Sequence, residues 1–261
     1  MSTTLSREAD RQHVAHLRID FNDLNLLSVP EAQALRDALR SVPEDIAVLT
    51  ISSEASEKID AVRGLSAGLD LEWAHTLDAH EGQAILTAFY EMIEAVRNLD
   101  AVVICDCGSY TLGVGFELAM ACEFRIATED ARLGLPEVNV GIPTVIHGGL
   151  LTRLVGLQTA TELLYTGRTL SGERARELDL VNRAVDPEEY DDALGSLVSE
   201  LAAKSPQALQ SQKRVMRRFR SVGLERGMEA SIGDMGRVFG THEQREAMTA
   251  FLEDREPEFE P

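Results

Sequence analysis

The stretch AVVICDCGSYTLGVGFELAMAC, residues 101–122, decides the reading of this chain. Ala101 to Cys105 is a continuous apolar run, the pattern of a strand covered on both faces. A glycine-bearing segment from Gly108 to Gly115 follows. It leads into Phe116 to Cys122, a helix that is apolar on nearly every face and must therefore be buried. Glu117 sits inside that helix. Burying an unpaired carboxylate is costly and raises its pKa. A capping role for it would require Ser, Thr or Asp at position 114, where the chain has Val. A functional role therefore outweighs a capping one. Gly113 and Gly115 bracket the helix start, where the first N–H groups lack intrahelical partners and favour negative charge. Glu117, three residues past Val114, lies on the same side of the first turn. One short stretch thus offers both an oxyanion donor and a carboxylate, although the glycines fit a plain tight turn equally well.

Working outward, strands and helices alternate. Val14 to Asp20 and Ile46 to Ile51 read as strands. Ser28 followed by Glu31, with Pro30 between, reads as a capping box opening a helix to about Arg40. Ile85, Phe89, Ile93 and Val96 form one stripe of a helix over about 81–98. Residues 52–60 and 133–149 read as loops, and 124–127 and 180–185 as short strands. Helices are predicted at about 150–165, 171–178, 187–203, 206–220 and 224–252. This order implies an α/β core followed by a helical appendage. The expected organisation is a flexible N-terminus over 1–13, a core over 14–190 and a C-terminal helical region over 191–261.

The 261 residues carry 44 acids against 25 bases, a formal charge of −19. Such a field repels phosphates, which argues against nucleic-acid and anionic-membrane partners. Lysine is confined to Lys58, Lys204 and Lys213. An acidic, lysine-poor surface suits a high-salt cytoplasm, where counterions screen self-repulsion. Cys105, Cys107 and Cys122, odd in number and without a secretion signal, read as reduced structural thiols of a cytoplasmic protein. No window is long and apolar enough to span a membrane.

Several motifs are absent. Leu118 stands where a dinucleotide-binding turn needs Gly or Ala, and no phosphate loop with Gly-Lys-Ser/Thr exists. The six histidines show no metal-ligand spacing, so no metal is expected, and Ser66 and Ser109 lack a nucleophile context. The run Lys213, Arg214, Arg217, Arg218, Arg220 reads as a helix face pairing with acids. Two further small-residue stretches remain. Ser66-Ala67-Gly68-Leu69-Asp70 offers N–H groups to a carbonyl but reads equally as a loop. Gly134-Leu135-Pro136-Glu137-Val138 holds a second glutamate behind a stiff proline.

Taken together, these stretches resemble the crotonase family, the enoyl-CoA hydratase/isomerase superfamily, over about residues 14–259. Asn25-Leu26-Leu27-Ser28 is similar to its N-x-L-S/N stretch. Leu65 to Leu71 is similar to S-A-G-x-D-L, Gly108 to Ala119 to G-x-x-x-G-G-G-x-E-L-A, and Leu133 to Val138 to G-x-P-E. Thr166-Gly167 and Leu180 to Val185 resemble later T-G and L-V-N-x-V-V segments. The resemblance implies a spiral of ββα units with a C-terminal helical region, assembled as a homo-trimer or hexamer. It implies an acyl-CoA thioester substrate, with coenzyme A as part of the substrate and no separate cofactor. The oxyanion-hole N–H groups map to Ala67 and Val114, and the two glutamates of its hydratases to Glu117 and Glu137. Ser66, Gly68, Leu69, Asp70, Gly113 and Pro143 map to substrate contacts. The implied reaction is addition of water to a 2-enoyl-CoA. An isomerase or acyl-CoA hydrolase of the same fold, and a non-catalytic acyl-CoA binder, are the alternatives. Val114 replaces the middle glycine of the triplet, and Gly141 to Gly149 departs from the usual I-P-G-x-G-G-T.

Overall fold

Apolar runs that cannot face water on either side build the centre of the sheet. The computed structural model describes residues 2–53 and 62–259. Six strands lie in sequence order: β1 (Ser2–Arg7), β2 (Val14–Asp20), β3 (Val48–Ser53), β4 (Val102–Leu112), β5 (Phe124–Gly134) and β6 (Arg183–Val185). All neighbours are parallel except β1 and β2, which form an antiparallel pair. The expected flexible N-terminus is corrected here, because Ser2–Arg7 pairs residue for residue with Ala15–Asp20 as an edge strand. Its polar sequence misleads because an edge strand leaves much of its surface in water. Most of the polar run 52–60 lies outside the described residues.

The first helices are α1 (Val29–Arg40), α2 (Leu71–Ala74), α3 (Ala79–Asn98) and α4 (Val114–Ala121). α1 begins at the expected capping box, with Glu31 accepting from the Ser28 N–H and hydroxyl. α2 is a short helix in a stretch whose sequence has no clear period; Asp70 caps it by accepting from the Trp73 N–H. The chain continues through α5 (Leu150–Leu154), α6 (Gly156–Thr166), α7 (Gly172–Glu177), α8 (Tyr190–Ala202), α9 (Pro206–Ser221), α10 (Leu224–Gly236) and α11 (His242–Leu252). The segment read as a loop over 133–149 holds the end of β5 and two 3-10 turns, Glu137–Val140 and Ile146–Gly149.

One face of the sheet, with Leu17, Leu49 and Val103, packs with α1, α3 and α4 into the main core. The opposite face, with Val14, Val48 and Ile104, packs on Leu197, Val198 and Ala202 of α8. Neighbours along each strand point to opposite faces, so continuous apolar runs satisfy both layers at once.

Arg125 ties this core to α4. The buried guanidinium donates to the carbonyls of Cys122 at 2.7 Å, Ala119 at 3.2 Å and Leu180 at 2.6 Å. The first two lie at the C-terminal end of α4, where the Ala119 carbonyl also accepts from the Cys122 N–H. Arg125→Ala removes three buried hydrogen bonds from a charged donor at once, and a loss of about 3 kcal/mol is expected. Thermal unfolding checks it, with Tm lowered by about 10 °C.

Candidate active site

Two adjacent parallel strands deliver the two glutamates. Leu112 at the end of β4 is in register with Gly134 at the end of β5, and the Gly113 N–H donates to the Gly134 carbonyl at 2.9 Å. From Gly113 the chain turns into α4, which places Glu117 one turn on. From Gly134 it passes Leu135 and Pro136 to Glu137, in a 3-10 turn. Both acids therefore sit at the carboxyl ends of the strands, where open α/β sheets form crevices. A Cβ on Gly113 would lie 3.3 Å from Glu137 Oε1, so the second acid rests against the start of the helix that carries the first.

Both side chains line a cavity of about 190 Å³. Glu117 is 3% exposed, and its Oε2 has no hydrogen-bond partner among the described residues. Burial, helped by the nearby Glu137 charge, pushes its pKa up to about 8; the peptide N–H groups of Gly148 and His147 oppose the rise. Burial also raises the Glu137 carboxyl, against its own peptide N–H and the Thr144 hydroxyl. Thr144 Oγ1 donates to Glu137 Oε2 at 2.9 Å. A Cβ on Gly148 would meet the Thr144 methyl at 2.3 Å and Glu117 Oε1 at 3.2 Å. The segment 144–148 thus touches both acids. His147 anchors it to α3, with Nε2 2.8 Å from Glu94 Oε1 and the ring stacked on Tyr90.

The donors come from two elements. Phe116 and Glu117 N–H groups donate to the Gly113 carbonyl, while the Val114 N–H, at the first helical position, has no acceptor among the described residues. The second donor differs from the expectation. The Ala67 N–H donates to the Leu24 carbonyl at 2.9 Å and is not free to bind a ligand. Leu27 forms a parallel bridge with Leu69, donating to the Gly68 carbonyl and accepting from the Asp70 N–H. In such a bridge the central residue's own N–H points to the other side. The Leu69 N–H has no acceptor among the described residues, and Leu69 lines the cavity beside Val114. Leu69 therefore replaces Ala67 as the second candidate donor. Gly68 makes this approach feasible: its φ is +94°, and a Cβ there would lie 2.9 Å from the Leu112 carbonyl oxygen.

Of the residues mapped as substrate contacts, Leu69, Gly113 and Pro143 line the cavity. Ser66, Gly68 and Asp70 shape the loop instead. The Ser66 hydroxyl donates to the Asn25 carbonyl at 2.6 Å and accepts from the Gly68 N–H. Asn25, buried at φ +47°, donates to the Leu65 carbonyl and accepts from the Phe21 N–H. The sequence reading gave Asn25 only as part of a motif, and Thr144 only as a departure from one. Among the described residues no cluster of three His, Cys, Asp or Glu is placed to hold a metal ion. No described helix is long and apolar enough to cross a membrane.

A family profile described as enoyl-CoA hydratase/isomerase matches residues 11–261. The chain is 32% identical over 239 residues to a crotonyl-CoA hydratase of Syntrophomonas wolfei, covering 90% of each chain. It is 33% identical to a probable enoyl-CoA hydratase of Bacillus subtilis, covering 95% of each. Its fold superposes on the crystal structure of an enoyl-CoA hydratase of Mycobacterium smegmatis with a TM-score of 0.89 at 26% identity, over 98% of each chain.

Proposed function

Because this chain belongs to the enoyl-CoA hydratase/isomerase family, we infer that it is a hydro-lyase that adds water across the 2,3 double bond of a 2-enoyl-CoA thioester. The observation that carries this reading is the pair of carboxyls, Glu117 and Glu137, on one apolar cavity beside two unengaged N–H groups.

The thioester oxygen accepts from the N–H groups of Leu69 and Val114. A water between the two acids attacks C3 through its oxygen, and the double-bond electrons move toward the carbonyl to give an enolate. The donors stabilise that charge in a largely apolar site, where such contacts are stronger than in bulk water. One carboxylate takes the water's proton and the other carboxyl gives one to C2, so the pair ends with the proton count it began with. No electrons are exchanged, so the reaction needs no cofactor beyond the coenzyme A of the substrate. A single base would suffice for double-bond migration. The second carboxyl, with its own donor in Thr144, favours hydration over the isomerase alternative. Loss of the conjugated-thioester absorbance of crotonyl-CoA tests the reading directly, and no loss at any pH overturns it.

The pair works when it holds one proton and titrates as a unit. The rate therefore falls as pH rises past about 8, where the raised Glu117 carboxyl ionises. It also falls on the acid side, at a pH above the ordinary carboxylate range because Glu137 is raised too. A bell-shaped profile of kcat/KM against pH is expected. Thr144→Val removes the hydroxyl that holds Glu137 down. Its acid limb should move up by about one pH unit, the worth of one hydrogen bond to a charged group.

Homo-trimers or hexamers are supported by the exposed Ile232 of α10 and Phe251 and Leu252 of α11, 73% to 85% exposed. Light scattering on the purified protein decides the number of copies. The charge of −19 supports a cytoplasm of high ionic strength, and a fold fully retained at low salt overturns that.

A further inference from the structure

We propose that His147 is a positioning residue for the two carboxyls: held by Glu94 and Tyr90 of α3, it keeps the strained turn 144–148 against both Glu117 and Glu137. The proposal deepens the hydratase reading and rests on it for its kinetics, while its second readout needs no turnover.

The turn does not hold its shape by itself. Ile146 has φ +49°, where a β-branched residue is a genuine outlier. Such backbone persists only where its surroundings over-determine it. The Gly148 N–H closes the turn on the Val145 carbonyl at 2.9 Å, and Ile146 packs on the main core. The polar hold comes from His147, which is 4% exposed. Its Nε2 donates to Glu94 Oε1 at 2.8 Å, and its ring stacks on Tyr90 with centroids 5.3 Å apart. Arg97 donates to the same Glu94 oxygen and so fixes the acceptor.

What is held in this way bears on the chemistry. Thr144 donates to Glu137, and Gly148 approaches Glu117 so closely that a Cβ would lie 3.2 Å from Oε1. The peptide N–H groups of His147 and Gly148 hold down a carboxyl that burial pushes up. Thr144, Val145 and Ile146 line the cavity, whereas the His147 side chain does not. Its influence on the reaction therefore passes through the turn. The ring does this as a neutral group. With Nε2 donating, Nδ1 is bare, buried and without a partner among the described residues. Protonation would bury a donor with no acceptor, and burial lowers the pKa of the ring against the pull of Glu94. The titratable and charged groups facing this residue are Tyr90, Glu94 and Arg97 of α3 and Glu117 of α4. The adjoining α5 carries only Arg153, which is exposed.

His147→Ala tests this by two readouts. Released from α3, the turn relaxes and the acids lose their mutual placement, so kcat for crotonyl-CoA should fall about a hundredfold. KM should move less than about threefold, because the thioester donors Leu69 and Val114 belong to other segments. The second readout is the carboxyl ¹³C NMR titration of Glu117, whose resonance is the one missing from Glu117→Gln. Loss of N–H donors favours the neutral acid, so its midpoint should rise by about one pH unit. Glu94→Ala should shift both readouts in the same directions, and being partly exposed it decides the matter if His147→Ala does not fold. Glu94→Gln still offers an oxygen to Nε2 and should restore most of the loss. A folded variant in which either readout stays at its wild-type value overturns the proposal, because general loosening would lower kcat without moving Glu117. Glu94→Gln as impaired as Glu94→Ala overturns it too, since charge and not the hydrogen bond would then be the hold. No turnover by the wild-type protein overturns the hydratase reading, and the titration still decides the role of His147.

Discussion

Glu117→Gln is expected to lower kcat/KM for crotonyl-CoA by about three orders of magnitude, the middle of the range for removing a positioned acid or base. The loss should fall on kcat and leave KM nearly unmoved, because the amide keeps the shape of the carboxyl and the thioester is held by peptide N–H groups. The expected effect on the fold is opposite in kind. The raised pKa means the site prefers the neutral form, and an amide is permanently neutral. A group whose folded pKa lies above its unfolded value withdraws stability as pH rises through that interval. Between pH 6 and 9 the wild-type protein should therefore lose Tm relative to Glu117→Gln. Full activity in the variant, or a variant that is the less stable of the two at pH 9, would remove Glu117 from the chemistry.

The second large effect concerns two hydrogens that no side-chain substitution removes. Replacing the Leu69 peptide N–H by an ester oxygen, through incorporation of the α-hydroxy analogue of leucine, is expected to lower kcat by about 10²–10³. The same replacement at Val114 should do likewise. At Ala67 it should lower stability, because that N–H holds the Leu24 carbonyl, and leave kcat within a few-fold. If the Ala67 ester is the one that loses catalysis, the assignment of donors drawn from the Leu27–Leu69 bridge is wrong.

This contrast marks where the sequence stops being readable. Glu117, the helix that buries it and the donor at its start follow from local pattern, whereas Glu137 stands out only through the family resemblance. A charged residue in an apolar helix is conspicuous wherever the helix goes. The strands β2, β3 and β4 were readable for the same reason, since runs such as Val48 to Ile51 have one sensible destination. Whether Ala67 or Leu69 turns its N–H to the cavity depends on which residue of a distant loop pairs with it. That is a long-range fact with no local trace. The polar Ser2–Arg7 strand and the tie from Arg125 to Leu180 were hidden likewise, because the strand pairs with residues 8 to 18 positions on and the Leu180 carbonyl lies 55 positions from Arg125. Thr144 looked like a mere departure until its hydroxyl was found on Glu137.

The pairing of Leu112 with Gly134 has an evolutionary corollary. The two acids follow directly from the ends of paired strands, whereas the facing cavity walls Leu71 and Leu86 come from a four-residue helix and from α3. Mutation can remodel what the enzyme accepts without retiming how protons reach the reacting carbons. A scaffold partitioned in this way lets new diets be tried while the old chemistry keeps running.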